Sequence, residues 1–330
     1  MRRQRSLGMG GTGKMSIADI RPNTEVEGQY AVTRKDLRQG KRGAYVTLIL
    51  SDASGEIQAR VFDNAEEIAG LFEQGDVVEI AGRADTYQDK TQLVIAELRR
   101  VAPENVNVQD FLRQAERDPD EMLGEVIEVC KSVRQPHLRK LLGAFFADAE
   151  FADKFKVCPG AERVHHAYVG GLLEHTLNVV RLCEAVCQIH PRLDRDLLVT
   201  GALLHDIGKV QEYETTAAIT STDEGKLLGH TVIAYRLAAN AMAGIEGFPE
   251  ELRLRVGHMI IAHHGKLEFG APRQPALPEA FALHYAEDLD AKVNRALDEV
   301  EKAREQGKTW TERDYFLDSW LFVGEQEPEG

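Results

Sequence analysis

Short runs of alternating apolar and polar residues fill the chain from about residue 25 to residue 101. They include EVEGQYAVT, AYVTLILSD, GEIQARVFD, GDVVEIAGRAD and TQLVIAELRR. A period of two is typical of strands that bury one face. Between the third and fourth runs, NAEEIAGLF places Ile68, Leu71 and Phe72 at helical spacing, with Asn64 as a candidate N-cap. Three strands, a short helix and two strands predict an all-β OB-fold barrel, an architecture used to bind oligonucleotides or oligosaccharides.

A basic segment, TRKDLRQGKRG, separates the first two runs and is predicted to be a loop. Cations and neighbouring aromatic rings suit a single nucleic-acid strand, because phosphates need positive charge and bases stack on rings. The alternative is a solvated loop on a protein-binding barrel. The candidate nucleic-acid-binding residues are Arg34, Lys35, Arg38, Lys41, Arg42, Tyr45, Arg60 and Phe62.

Helical periodicity replaces alternation in the rest of the chain. DEMLGEVIEVCKSV and HLRKLLGAFFADAEF predict helices without a Gly/Pro-rich linker, and long amphipathic stretches such as LLEHTLNVVRLCEAVCQI follow. This second part is predicted to be an all-α helical bundle. The expected divisions are a flexible arm (1–16), the barrel (17–103), connecting helices (104–150), the bundle (151–323) and a disordered tail (324–330).

Composition agrees with a globular protein of two domains. The chain has 330 residues, of which 43% are hydrophobic and 28% charged. No apolar stretch approaches the roughly 18 residues of a membrane helix, and the basic N-terminus lacks the apolar region of a secretory signal. The four cysteines form no CxxC pair, which favours a reducing, cytoplasmic setting. Met1 and Met15 are both candidate starts.

Charge and histidine are distributed unevenly between the two parts. The first 103 residues carry equal numbers of basic and acidic side chains, so the whole net charge of -14 belongs to the remainder. All 11 histidines lie after residue 136. The barrel is therefore expected to bind, and the bundle to carry imidazole chemistry.

Several histidines recur where the predicted helices begin, end or turn toward the core. His175 shares an apolar face with Leu172 and Val179, while His205-Asp206, His230 and His263-His264 lie at helix ends. A bundle core could gather such residues around a metal. Imidazole and carboxylate without thiolate indicate Mn²⁺, Fe or Zn²⁺ with open coordination positions.

The strings LLEHT, ALLHDIGK and YAEDLDAK resemble the motif of the HD superfamily of metal-dependent phosphohydrolases. The longer strings CPGAERVHHAYVGGLLEHT, EGKLLGH and AHHGKLEFGAP are similar to its YhaM-type branch, 3′-to-5′ exoribonucleases in which an OB-fold precedes the HD domain. The resemblance runs from about Ile17 to Trp320. It implies hydrolysis of single-stranded RNA, with single-stranded DNA as a further candidate, to 5′-mononucleotides by a metal-activated water.

The resemblance also implies a ligand set for two divalent ions, Mn²⁺ first, with Fe, Mg²⁺ or Zn²⁺ as alternatives. A first ion would be held by His175, His205 and Asp206. Asp206 would bridge to a second ion, completed by His230 and by His263, His264 or both. Asp206 is thereby also a candidate catalytic residue.

The last carboxylate of the motif has three candidates. Family members usually have Asp where this chain has Glu287, which favours Glu287. On a helical wheel Glu287 and Asp290 lie nearer the presumed core stripe, and Asp288 points away. The order of preference is Glu287, Asp290, Asp288. The stripe assumed for this wheel comprises Ala286, Leu289, Val293 and Leu297.

Further candidates have two interpretations each. Lys209, in HDIGK, could donate to a phosphate oxygen as a catalytic residue or complement a helix dipole. Arg163, His165 and His166 could hold substrate phosphate or serve helix-entry packing.

Two other functions compete with the exoribonuclease. One is an HD phosphohydrolase of free or cyclic nucleotides, which leaves the barrel unexplained. The other is a non-catalytic nucleic-acid-binding protein with a vestigial site, which the full histidine set argues against.

Overall fold

The structure, a computed structural model, describes residues 15–41, 43–87, 90–107, 110–162 and 166–325. The predicted tail from residue 326 and the arm up to residue 14 lie outside these ranges. The chain divides into two compact units, Met1–Arg113 with Thr216–Thr220, and Gln114–Thr215 with Ser221–Gly330. Within the described ranges, no helix has the length and apolar character needed to cross a membrane.

The first unit contains a closed five-stranded barrel. Its strands run in the order β1-β2-β3-β5-β4, and β1 closes the barrel by pairing with β4. Strands β3 and β5 pair in parallel, and the other pairs are antiparallel. The predicted OB-fold order is confirmed. The elements are β1 (Glu25–Gly40), β2 (Gly43–Asp52), β3 (Gly55–Val61), α1 (Ala65–Ala69), β4 (Val77–Tyr87) and β5 (Lys90–Arg100).

Two local predictions in the barrel differ from the structure. Residues 33–40 of the basic segment predicted as a loop belong to strand β1, whose pairing with β2 continues to Gly40↔Gly43. Its charged side chains occupy mostly solvent-facing positions, so they do not oppose strand pairing. Asn64 occupies the predicted N-cap position of α1, but its backbone is left-handed, with φ of 50°, and its side chain makes no capping bond.

The second unit is a helical bundle, as predicted. Two strands of three residues each were not predicted, since such short strands leave no pattern: β6 (Tyr213–Thr215), in the second unit, and β7 (Ile219–Ser221), most of which is assigned to the first. The helices are α2 (Pro119–Ser132), α3 (Pro136–Phe146), α4 (Ala149–Val157), α5 (Gly171–Ile189), α6 (Arg195–Leu204), α7 (Lys209–Glu212), α8 (Asp223–Ala243), α9 (Glu250–Ala262) and α10 (Pro278–Glu305).

Helix α6 lies in the middle of the bundle. The Asp194 side chain accepts from Leu197 N–H and caps its start. Every residue from Leu197 to Leu204 is buried, so the helix is apolar on all sides, as expected for a central helix. The residues that follow α6 therefore lie inside the bundle.

Helix α10 buries only Ala286 of the stripe that the sequence predicted. Leu289 and Val293 are about half exposed, and Leu297 is 65% exposed. The buried side includes Leu283 and Ala286. This buried side also carries polar residues that face the histidines. The apolar stripe therefore does not mark the side of α10 that lies in the core.

Candidate metal centre and strand-binding surface

The chain leaves α6 as His205 and Asp206, both buried in the bundle. Lys209 Nζ lies 2.7 Å from Asp206 Oδ2. Burial alone would raise the pKa of Asp206, but the charges of Lys209 and His205 hold it well below its usual value. Lys209 is the first residue of the single-turn helix α7, and its ammonium is engaged by the Asp206 carboxylate. The structure thus presents an ionised carboxylate in the bundle interior.

Two imidazoles approach one oxygen of this carboxylate. His205 Nε2 lies 3.4 Å and His175 Nε2 3.7 Å from Asp206 Oδ2, and the two nitrogens are 3.3 Å apart. His175 comes from the buried face of α5. Burial lowers the pKa of His175 to about 4. At neutral pH its ring is therefore uncharged and can act as a metal ligand.

Two further imidazoles approach the other oxygen. His230 Nε2 lies 3.5 Å and His263 Nε2 3.6 Å from Asp206 Oδ1. His264 Nε2 is 3.0 Å from His230 Nε2. Burial lowers the pKa of His263 well below its usual value and that of His264 to about 3. Asp206 thus stands between two sets of imidazoles.

This arrangement fits divalent cations. Asp206 Oδ1 and His263 Nε2 are buried without a hydrogen-bond partner among the described residues. Uncompensated polar atoms are costly in a core, and a shared cation would satisfy both. Within the part of the chain that the structure describes, ligand atoms within 4.8 Å of one another occur in three groups: His175, His205 and Asp206; His230, His263 and His264; and His166, His175 and Asp290.

The three candidate carboxylates of α10 have different environments. Asp288 pairs with Lys292 at 2.7 Å, away from the histidines. Asp290 Oδ2 contacts His175 Nδ1 at 2.7 Å and His166 Nε2 at 2.9 Å. Burial, followed by the charge of Asp206, raises the pKa of Glu287 to about 7. Glu287 therefore faces the Asp206 charge, although none of the three groups includes it.

The segment before α5 contains the predicted phosphate contacts. Arg163 and His165 lie outside the described residues. His166 is 1% exposed, and its ring contacts Tyr168 Oη at 2.8 Å as well as Asp290. Both ring nitrogens of His166 are engaged inside the protein, which argues against a contact with substrate phosphate.

The outer surface of the barrel brings aromatic rings and guanidinium groups together. Tyr45 and Phe62 pack with ring centroids 6.0 Å apart, and Phe62 is 49% exposed. The Arg60 guanidinium stacks 4.8 Å from the centre of the Tyr87 ring. Arg38 is paired with Tyr45 across the β1–β2 ladder. We call Arg38, Tyr45, Arg60, Phe62 and Tyr87 the aromatic surface.

The other basic candidates differ in availability. Lys35 donates to the carbonyls of Ala69 and Phe72 and to Glu73. Its ammonium is therefore engaged at the end of α1 and is not available to a nucleic-acid strand. Arg34 bonds Asp36 at 2.9 Å, and Lys41 is exposed. Arg42 lies outside the described residues.

Two residues at these sites were missed from the sequence. Glu212 contacts His230 Nδ1 at 3.0 Å, but 18 residues separate them and no spacing rule links them. Tyr87 joins the aromatic surface from the end of β4, where a lone aromatic carries no separate signal. Both depend on tertiary contacts.

The fold and site define a class of protein: an OB-fold barrel joined to an HD-type bundle. The family described as "HD domain" matches residues 172–292, and that described as "OB-fold nucleic acid binding domain" matches residues 30–101. The HD domain implies dependence on a divalent metal.

Curated relatives narrow this class. The chain is 34% identical over 284 residues to "3'-5' exoribonuclease YhaM" of Bacillus subtilis (strain 168), covering 84% of this chain and 87% of the relative. It is 36% identical to the protein of that name from Shouchella clausii (strain KSM-K16), covering 78% and 81% of the two chains. The chain belongs to the YhaM family.

Proposed function

We propose that this protein is a metal-dependent 3′-5′ exoribonuclease that hydrolyses single-stranded RNA to 5′-mononucleotides. The observation that carries this proposal is the buried Asp206 carboxylate, with imidazole nitrogens at 3.4 to 3.7 Å from its two oxygens. A carboxylate that bridges two ions is suited to phosphodiester hydrolysis. The names of the relatives support hydrolysis that starts at the 3′ end and RNA as the substrate.

The proposed centre holds two divalent ions, with Mn²⁺ as the first candidate. His175, His205 and Asp206 would hold one ion, and Asp206, His230, His263 and His264 the other. Glu287 remains the proposed last ligand, because it stands where related proteins usually have Asp and is buried close enough to Asp206 for the two charges to interact. Bound cations of this kind lower the pKa of a water molecule and neutralise charge on phosphate oxygens.

The residues of the chain supply positioning and charge. Asp206 and Lys209 are the proposed catalytic residues. The Lys209 ammonium is 2.7 Å from Asp206, so it is close enough to reach a phosphate oxygen once cations compensate the carboxylate. The buried walls of the bundle exclude bulk water and strengthen each of these electrostatic interactions.

The two units have separate proposed roles, with the barrel (17–103) binding the strand and the bundle (151–323) hydrolysing it. The aromatic surface supports the first role, since stacked bases and guanidinium–phosphate contacts do not depend on sequence. Base stacking also does not depend on the sugar, so the hydrolysis of single-stranded DNA should be compared with that of RNA. The buried free thiols of Cys130, Cys158 and Cys183 support the proposed cytoplasmic location.

The test uses an oligoribonucleotide labelled on its 3′-terminal nucleotide, with Mn²⁺ present. We expect the labelled 5′-mononucleotide as the first product, and no product with EDTA or with Asp206→Ala. Labelled fragments of several nucleotides would indicate internal cleavage. Faster turnover of cyclic nucleotides than of RNA would favour the alternative phosphodiesterase.

A further inference from the structure

The four histidines around Asp206 share one orientation. In each ring Nδ1 is bonded to an oxygen that can only accept, so Nδ1 carries the proton and Nε2 is directed toward Asp206. Free imidazole has no such constraint. The Nδ1 partners are Asp290 Oδ2 at 2.7 Å for His175, Ala202 O at 2.8 Å for His205, Glu212 Oε2 at 3.0 Å for His230 and Ile260 O at 2.6 Å for His263.

Two of these partners come from the histidine's own helix. His205 and His263 are the C-cap residues of α6 and α9. The last carbonyls of a helix have no intrahelical partner, so each ring can bond back to the carbonyl three residues earlier. For these two histidines the position at a helix end is sufficient to orient the ring.

His175 and His230 cannot be oriented by a carbonyl of their own helix in this way. His175 lies in the second turn of α5, and the Leu172 carbonyl three residues before it already accepts from the Thr176 hydroxyl at 2.8 Å. His230 follows Gly229, whose φ of 72° breaks α8, so no regular helical turn precedes it. An acceptor for each ring must come from another element.

We propose that Asp290 and Glu212 are positioning residues, each of which fixes the tautomer and direction of one histidine on one side of Asp206. Asp290 acts on His175, and Glu212 acts on His230. This inference rests on the proposed two-ion centre and goes beyond it, because it makes Asp290 an outer partner of a ligand and not itself a ligand. Outer partners of this kind set the basicity and orientation of metal-binding imidazoles.

The local structure holds both carboxylates in place. Glu212 Oε1 also accepts from the backbone N–H of His230 at 3.2 Å, which satisfies a donor exposed by the break at Gly229. Asp290 Oδ2 is held a second time by His166, 2.9 Å away, and His166 contacts Tyr168 Oη at 2.8 Å. Each carboxylate thus has little freedom to turn away from its histidine.

The turn that contains His166 is itself constrained. His166 has a left-handed backbone, with φ of 55°. A Cβ added at Gly171 would lie 2.0 Å from the His166 carbonyl oxygen, so this glycine is needed for the close approach. Such strain persists where surrounding contacts over-determine it, and here those contacts lead through Asp290 to His175.

The first test is nuclear magnetic resonance of metal-free protein labelled with ¹⁵N in histidine, which reports the nitrogen that carries each ring proton. We expect His175 and His230 in the Nδ1–H form. Asp290→Ala should move His175 to the Nε2–H form and leave His230 unchanged, whereas Glu212→Ala should move His230 and leave His175 unchanged. His166 also loses a partner in Asp290→Ala, so its signal is not used to decide the outcome. Asp290→Asn keeps an acceptor oxygen and should restore the Nδ1–H form. Finding the Nε2–H form of His175 or His230 in the wild type would overturn the proposal without any variant.

The second test is a calorimetric titration with MnCl₂. Each alanine variant should weaken one of two binding events by about 10- to 100-fold and leave the other unchanged. Glu301→Ala on α10 and Glu214→Ala on β6 are controls, since each removes an exposed acidic side chain, and both should bind as the wild type does. If Asp290 is a ligand, metal affinity falls while the His175 tautomer stays as in the wild type, which contradicts the proposal.

These measurements need no RNA, so they separate the two proposals. A wild type with the expected tautomers and two Mn²⁺ sites but no nuclease activity would overturn only the proposed function. An active nuclease with unchanged tautomers in both alanine variants would overturn only the positioning roles.

Discussion

Lys209 Nζ and Asp206 Oδ2 form a buried ion pair 2.7 Å long at the centre of the histidine cluster. Their side chains are 8% and 4% exposed. Among the described side chains, the ammonium is the positive group in closest contact with this carboxylate. In the metal-free protein the lysine therefore compensates the charge of Asp206, the carboxylate that the proposed ions would also compensate.

Replacing Lys209 by methionine should reveal this link. Removing one partner of a buried pair leaves an unpaired charge, which costs about 3 to 5 kcal/mol of unfolding free energy. Bound Mn²⁺ would compensate Asp206 in place of the lysine. We expect Lys209→Met to lower the unfolding free energy in EDTA and to lower it much less in Mn²⁺, as measured by urea denaturation. The control is Lys292→Met, which breaks a surface pair and should change the unfolding free energy by at most about 1 kcal/mol. Equal losses for Lys209→Met in EDTA and in Mn²⁺ would contradict this account.

Asp206→Ala should separate hydrolysis from strand binding. The substitution removes the carboxylate between the two sets of imidazoles, so turnover of RNA should fall by more than the roughly 100-fold typical of losing an outer partner. Binding of single-stranded RNA, measured by fluorescence anisotropy in EDTA, should stay near the wild-type value. A parallel loss of binding would argue against separate roles for the two units.

Two buried histidines should contribute to the pH dependence of stability in a defined direction in the metal-free protein. Burial lowers the pKa of His175 to about 4 and that of His264 to about 3, below the value near 6.5 of unfolded histidine. Between these limits the two rings bind more protons in the unfolded chain, so their contribution to the unfolding free energy should fall as pH drops from about 6.5 toward 4, opposite in sign to the contribution of Glu287, whose pKa is raised. Each unit of pKa difference contributes about 1.4 kcal/mol. In urea denaturation with EDTA, the His264 contribution should be absent from His264→Gln, so its unfolding free energy should fall less steeply with decreasing pH than that of the wild type. An unchanged slope would contradict a buried, uncharged His264 ring.

Phe62→Ala tests the aromatic surface. Stacking of a base on an aromatic ring contributes about 1 to 3 kcal/mol, so the affinity for single-stranded RNA should fall about 5- to 150-fold. Hydrolysis at saturating RNA should be nearly unchanged, because Phe62 lies in the barrel. Leu71→Ala removes a side chain of similar exposure outside this surface and serves as the control. Equal effects of the two variants would show that apolar exposure, and not this surface, governs binding.

The helix α10 shows where reasoning from periodicity fails. Apolar residues at helical spacing are normally buried, so the sequence favoured Leu289, Val293 and Leu297 as the core face. In the structure these residues are half exposed or more, and Asp290 faces His175. The side of the helix that meets the site is chosen by hydrogen bonds and charge, which a hydrophobic pattern does not record.

The local sequence determined the element types, the order of the barrel strands and the set of histidines around Asp206. These features follow from short-range patterns and from motifs that need particular ligand atoms. Tertiary structure alone decided that Glu212 orients His230, that Asp290 bonds His175 and His166, and that Lys35 serves α1. The reason is that a hydrogen bond depends on distances of about 3 Å between atoms, and residues far apart in the chain reach such distances only when whole helices and strands have packed.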